Sequence, residues 1–260
     1  MKPSSGIKVK LRAAQTKVNA LNRSILRFGE SKPYDLRTDE YRSQQDPSLY
    51  HLCFRIEQKK RFPAARWSII VDEIIYHLRS ALDGAVYDLS VGSERPDPTG
   101  TAFPITDARS KFDRKLIRYL SDDKKAFIDS VQPYDRPDDL LWILSQMNRR
   151  NKHRALRFAA MIVGPDQDPS LPSSLSITIT DLDLMRVALP SAKPAEGGAE
   201  LMRLLYRVTG PNPHVKTAIH SQFDVQFGEQ IVSSDSPAGG LLSQMVSRTK
   251  SIISTLYSLP

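Results

Sequence analysis

Apolar residues recur through the first thirty positions at alternating spacings of four and three: Ile7, Leu11, Ala14, Val18, Leu21, Ile25 and Phe28. That period puts them on one narrow stripe of a helix of about six turns, with Gly29 available to end it. The polar stretch from Pro33 to Pro47 reads as a connection. Tyr50, Leu52, Phe54 and Ile56 then alternate with His51, Cys53, Arg55 and Glu57, as in a half-buried strand. A second long helix is predicted from about Ala64 to Val91, because Trp67, Val71, Ile74, Leu78, Leu82, Ala85 and Leu89 share one face. Gly92 to Gly100 reads as a loop. A third helix is expected over Ser110 to Val131, ended by the Gln132-Pro133-Tyr134 turn. A fourth is expected over Asp138 to Val163, with Leu144, Met147, Ala155, Phe158 and Ile162 as its stripe and Asn148 and Asn151 on the same side.

After Gly164 the period changes from helical to alternating. Leu175, Ile177 and Ile179 alternate with Ser176, Thr178 and Thr180, and Leu184 to Leu189 reads as another strand. Leu201 to Val208 reads as a strand, with a short helix as the alternative. Val215, Thr217, Ile219, Ser221, Phe223, Val225 and Phe227 alternate strictly, the clearest strand pattern in the chain. Gly239-Gly240 precedes a last amphipathic helix through Leu242, Met245, Ile252, Ile253 and Leu256. Helices first, an antiparallel sheet second and a closing helix argue for an α+β fold. The expected domains are a mainly helical bundle over residues 1–163 and a β-rich region over 164–260, whose final helix returns to the bundle.

Charge adds a direction. The 260 residues carry 37 Lys and Arg against 29 Asp and Glu, a net charge of +8. The excess lies entirely before residue 164. Seven basic residues fall between Lys2 and Arg27 before the first acid, Glu30, and five more (Arg149, Arg150, Lys152, Arg154 and Arg157) lie between Leu140 and Pro165 with no acid among them. Clustered cations attract polyanions, so nucleic acid, whether RNA or DNA, or another polyanion is the partner to test. The lone Cys53 excludes a disulfide framework and a thiolate zinc cluster. No run of about 18 apolar residues is present, and none at the start resembles a signal peptide. The expectation is a soluble, cytoplasmic protein with no membrane partner.

Several chemistries lack their signatures. There is no G-x-x-x-x-G-K-[ST] loop, no G-x-G-x-x-G, no H-E-x-x-H and no G-x-S-x-G. His214 and His220 would share a strand face about 20 Å apart at roughly 3.3 Å per residue, too far to hold one metal. No cofactor and no metal are expected.

Four segments stand out: His77-Leu78-Arg79-Ser80-Ala81-Leu82-Asp83, Phe103-Pro104-Ile105, Gln132-Pro133-Tyr134, and Asn148-Arg149-Arg150-Asn151-Lys152-His153-Arg154. On a helix, Arg79 and Asp83 are one turn apart and suited to an ion pair, as are Glu73 and His77. The series resembles a set of bacterial proteins of unassigned function that share an H-N-L-R-S-A-L-D helix, an F-P-I segment, a Q-P-Y turn and an N-x-x-D-K-H-R helix. The resemblance covers about residues 64–160. This chain departs from it in having Tyr76 at the family's histidine, His77 at its asparagine, and Asn151 at its aspartate.

The basic segment also resembles, more loosely, the HEPN superfamily, helical bundles that often act as metal-independent ribonucleases and commonly pair two chains around one cleft. That likeness implies a homodimer in which His153 handles the 2′-hydroxyl proton or orients the phosphate. Arg149 or Arg150 would then stabilise the developing charge, with Asn151 beside them. Asn148, Lys152, Arg154, His77 and Arg79 would be binding residues. The alternative is a non-catalytic structural or protein-interaction module, whose asparagines tie neighbouring helices together because a buried amide without a partner costs about 1–3 kcal/mol.

Overall fold

A computed structural model describes residues 2–91, 99–134, 136, 139–151, 158–163, 174–180, 182–188, 200–210, 214–220, 222–227 and 237–260. The fold is α+β. The chain divides into two compact units, one comprising Met1–Arg23, Pro63–Phe158 and Gln226–Pro260, the other Ser24–Phe62 and Ala159–Val225. This partition differs from a single division near residue 163, since an early pair of strands groups with later ones and the last helix groups with early helices.

The first unit is helical. Helix α1 (Ser5–Glu30) turns Ile7, Ala14, Val18 and Leu21 inward, the stripe read from the sequence. Helix α2 (Ala64–Val91) buries Trp67, Val71, Ile74, Leu78, Leu82 and Ala85. The expected third helix is instead two short 3-10 turns, Arg109–Lys111 and Arg114–Ile117, followed by α3 (Asp122–Ser130). The chain breaks there because Asp113 accepts a hydrogen bond from the Lys115 N–H at 2.9 Å and opens a new turn, while Ser121 stands at the start of α3 with Asp122 and Asp123 in its first turn. Helix α4 (Leu140–Asn151) buries Leu141, Ile143, Leu144 and Met147, and α5 (Ala238–Ser258) buries Leu242, Met245, Ile252, Ile253 and Leu256. Helices α2, α4 and α5 pack against one another, so the closing helix does return to the bundle.

Helix α4 is shorter than expected. Phe158 and Ile162, read as part of its stripe, lie on strand β3 (Phe158–Val163), which follows β1 and β2 of the second unit in chain order. An unbroken run such as Phe-Ala-Ala-Met-Ile-Val suits a buried strand as well as a helix, so periodicity alone misassigns it.

In the second unit, β1 (Tyr34–Arg42) pairs antiparallel with β2 (Leu49–Gln58). Residues 34–42 were expected to form a connection. Their charges are those of an edge strand, and cross-strand ion pairs such as Arg55–Asp39 at 3.3 Å accompany the register. Strand β2 also pairs with β6 (Glu200–Val208), and β6 with β5 (Leu182–Ala188), giving the sheet order β1-β2-β6-β5. Leu52, Phe54, Leu204 and Tyr206 are buried, and Tyr50 stacks on Tyr206 at 5.7 Å.

The strictly alternating stretch read as one strand is two, β7 (His214–His220) and β8 (Gln222–Phe227). Strand β7 pairs with β4 (Ser174–Thr180) and β8 with β3. Alternation reports which face a side chain occupies and carries no information about which strand lies alongside. Among the described residues, no helix is long and apolar enough to cross a membrane.

Candidate functional site

Three of the four conspicuous sequence segments meet at one stretch, Phe103 to Asp107, in the helical unit. Arg79 and Asp83 sit one turn apart on α2, with their side chains 2.9 Å apart. Together they satisfy both main-chain polar groups of Phe103. The Arg79 guanidinium donates to its carbonyl at 2.6 Å, and Asp83 Oδ1 accepts from its N–H at 3.0 Å. This anchors Phe103, whose ring is fully buried.

Two residues further on, Gln132 takes over. Its Nε2 donates to the carbonyls of Pro104 (2.9 Å) and Ile128 (3.0 Å), and its Oε1 accepts from the Thr106 N–H (3.1 Å). A single buried amide thus performs the pairing that a neighbouring strand would otherwise supply. The Q-P-Y turn holds the F-P-I segment by main-chain recognition.

The tyrosine of that turn has its own partners. Tyr134 Oη donates to Asp129 Oδ1 at 2.5 Å, and the Arg109 guanidinium lies 4.8 Å above the Tyr134 ring and 3.5 Å from Asp129. Burial, and then the bond to Asp129, push the Tyr134 phenol up to about 12. Phe112 meets the same ring edge-on at 6.3 Å.

Helix α4 reaches this region through Arg149. Asp107 is held below the usual carboxylate range by its bond to Lys111 at 2.9 Å, and the positive charge of Arg149 acts on it in the same direction. Arg149 is exposed and Asn148 half-buried, so Asn148 is not the fully buried tie that the apolar stripe implied. Asn151 is the last residue of α4 and Arg150 precedes it. Lys152, His153 and Arg154 lie outside the described residues.

His77 is not part of the convergence. It lies within the electrostatic reach of Lys17 and Lys10 of α1, where Lys17 takes Glu73 in an ion pair at 2.6 Å and Lys10 donates to the Ser80 carbonyl at 3.4 Å. The expected Glu73–His77 pair is therefore replaced by an interhelical one. Among the described residues the buried His77 Nδ1 has no hydrogen-bond partner. Its pKa is lowered by burial first and then by Lys17, with Glu73 opposing and Lys10 adding to the decrease. His77 is thus kept neutral at neutral pH, and charging it as pH falls below the ordinary histidine range works against the fold.

Sequence reasoning passed over Asp72, which shares a helical stripe with Arg79 and Asp83 at 100° per residue. Its Oδ1 is buried without a partner among the described residues, and burial followed by the nearby Glu73 raises its pKa. A carboxyl raised in the folded state opposes folding at every pH above that raised value, and the penalty is relieved as pH falls toward the unfolded value of 3.8. Asp72→Asn is therefore expected to raise the urea midpoint at neutral pH, with the gain shrinking on acidification. An unchanged or lowered midpoint would show that the carboxylate is compensated. The Arg109–Tyr134–Asp129 cluster was also missed, because nothing in the local pattern connects residues 25 positions apart.

Among the described residues no group of three or more His, Cys, Asp or Glu side chains is arranged to hold a metal ion. Cys53 lies in the second unit, fully buried, with its Sγ 3.6 Å from Tyr41 Oη. No protein-family model matches the chain, and comparison with curated proteins and with solved structures finds no match.

Proposed function

We propose that the chain is a cytoplasmic RNA-binding protein acting through its helical unit. The observation that carries this reading is the solvent face of α1. Lys8, Arg12 and Arg23 are exposed along it, with no carboxylate before Glu30 to neutralise them. Lys10 and Lys17, by contrast, are engaged with α2. A row of exposed cations that meet no carboxylate at ion-pair distance among the described residues fits a phosphate backbone, and counterion release makes such binding favourable and strongly salt-dependent.

In this reading Arg79, Asp83 and Gln132 serve the scaffold, since each is bonded to main chain. A second reading adds metal-independent cleavage by a homodimer, with Arg149, Arg150, Asn151 and His153 as the acting groups. What favours it is the exposed Arg149 at the end of α4, beside the stretch where the motif segments meet.

One experiment tests both. Purified wild type and His153→Ala are mixed with labelled single-stranded and structured RNA in chelator, and binding and cutting are followed together. Retention of RNA that weakens steeply with added salt is the expected result. No retention at low salt would sink the RNA reading and leave a protein-interaction module. Cutting by wild type that His153→Ala abolishes would establish the ribonuclease.

A further inference from the structure

We propose that single-stranded RNA lies on the platform built by the two 3-10 turns between Arg109 and Ile117, with the Arg109–Tyr134 and Arg118–Tyr119 stacks at its ends. The inference rests on the RNA-binding reading and gives it a surface separate from α1.

The segment Arg109 to Arg118 holds five cations, Arg109, Lys111, Arg114, Lys115 and Arg118, and one carboxylate, Asp113. All five cations are exposed, whereas Ile117 and Leu120 are buried and anchor the segment from beneath. Asp113 turns back to cap the Lys115 N–H. Among the described residues Arg114 and Lys115 meet no carboxylate at ion-pair distance, so their charges face solvent unopposed at close range.

Two arginines are arranged differently. Arg109 lies 4.8 Å above Tyr134 and is tethered by Asp129 at 3.5 Å, yet 75% of its side chain remains exposed. Arg118 lies 4.6 Å above Tyr119 and donates to the carbonyls of Lys115 (3.2 Å) and Thr99 (2.9 Å). In both cases the guanidinium carbon lies over a tyrosine ring, and most of the Arg109 side chain stays open to solvent. A planar cation held in this way is a stacking surface for an unpaired base, and Arg114 and Lys115, which lack the carboxylate partner that Lys111 has in Asp107, supply phosphate contacts. A duplex offers its bases only edge-on, so the arrangement favours a single strand. No large apolar side chain in the segment is exposed, which argues against insertion into a lipid surface.

The test is fluorescence anisotropy of a labelled single-stranded polyuridine oligomer across a salt series. It uses full-length wild type, Arg114→Glu/Lys115→Glu and Arg109→Lys. Tryptophan fluorescence verifies that each variant is folded, since Trp67 and Trp142 both belong to the helical unit. The double reversal is expected to weaken binding at least tenfold and to reduce the slope of log K against log salt by about 1.4, at roughly 0.7 per single-strand phosphate lost. Arg109→Lys keeps the charge but loses the planar face, so affinity should fall on the order of tenfold with the slope unchanged. Folded variants that bind like wild type would overturn the platform while leaving the RNA reading standing. Wild type that binds no RNA would overturn both. Equal competition by polyglutamate would overturn the single-strand assignment in favour of an acidic protein partner.

Discussion

Replacing Gln132 with alanine is expected to destabilise the helical unit by about 3 kcal/mol, lowering its thermal midpoint by roughly 10 °C. Gln132 is 1% exposed and makes three hydrogen bonds, to the Pro104 and Ile128 carbonyls and from the Thr106 N–H. Pro104 and Thr106 are themselves buried, so water cannot replace the lost amide without opening the core. Each buried group left unpaired costs about 1–3 kcal/mol, and two main-chain groups of the extended stretch are orphaned at once. Gln132→Glu should be no milder, because it keeps an acceptor for Thr106, removes the donor to Pro104 and buries a charge. Tryptophan fluorescence during urea unfolding checks this directly. A loss within about 0.5 kcal/mol, typical of surface positions, would show that the clamp is dispensable.

Arg79→Met should cost about 2 kcal/mol, in line with hydrogen bonds made by charged groups. The methionine keeps the apolar stem but abandons the Phe103 carbonyl and leaves Asp83 without its cation. The arginine side chain is only 21% exposed, so solvent offers a poor substitute for those partners. Asp83→Asn should be milder, since an amide oxygen still accepts from the Phe103 N–H. This substitution also separates two roles for the arginine. A scaffold residue predicts lower stability with the RNA affinity of the folded protein unchanged. A phosphate-binding residue predicts weaker binding and a shallower salt dependence at near-normal stability.

Arg79 shows how far local sequence reaches. Its pairing with Asp83 was legible, because one helical turn brings positions four apart together whatever the rest of the chain does. Its bond to Phe103, 24 residues away, was not, and neither was the reach of Gln132 to Pro104 and Thr106. Both are recognitions of main chain, which every residue carries, so no side-chain pattern announces them. Asp107 with Arg149, and Arg109 with Tyr134, were hidden for another reason: they are side chains far apart in sequence that only the fold brings near each other. Where the reading went wrong, two structures shared one pattern. The Phe158–Val163 run suits helix and strand alike, and the charged Tyr34–Arg42 stretch looks like a loop until β2 lies beside it.

By itself the sequence determined α1, α2, α5 and β2 and the α+β class. In those segments apolar positions repeat at a period that only one regular backbone can turn toward a core. Tertiary structure decided which strand lies beside which, dividing an alternating stretch between β4 and β3 and pairing β2 with β6, about 150 residues later in the chain. It also decided that the conspicuous arginine, aspartate and glutamine hold a backbone segment in place. Such choices depend on which distant groups can be brought together and satisfied at once, a property of the assembled core that no window of neighbouring residues contains.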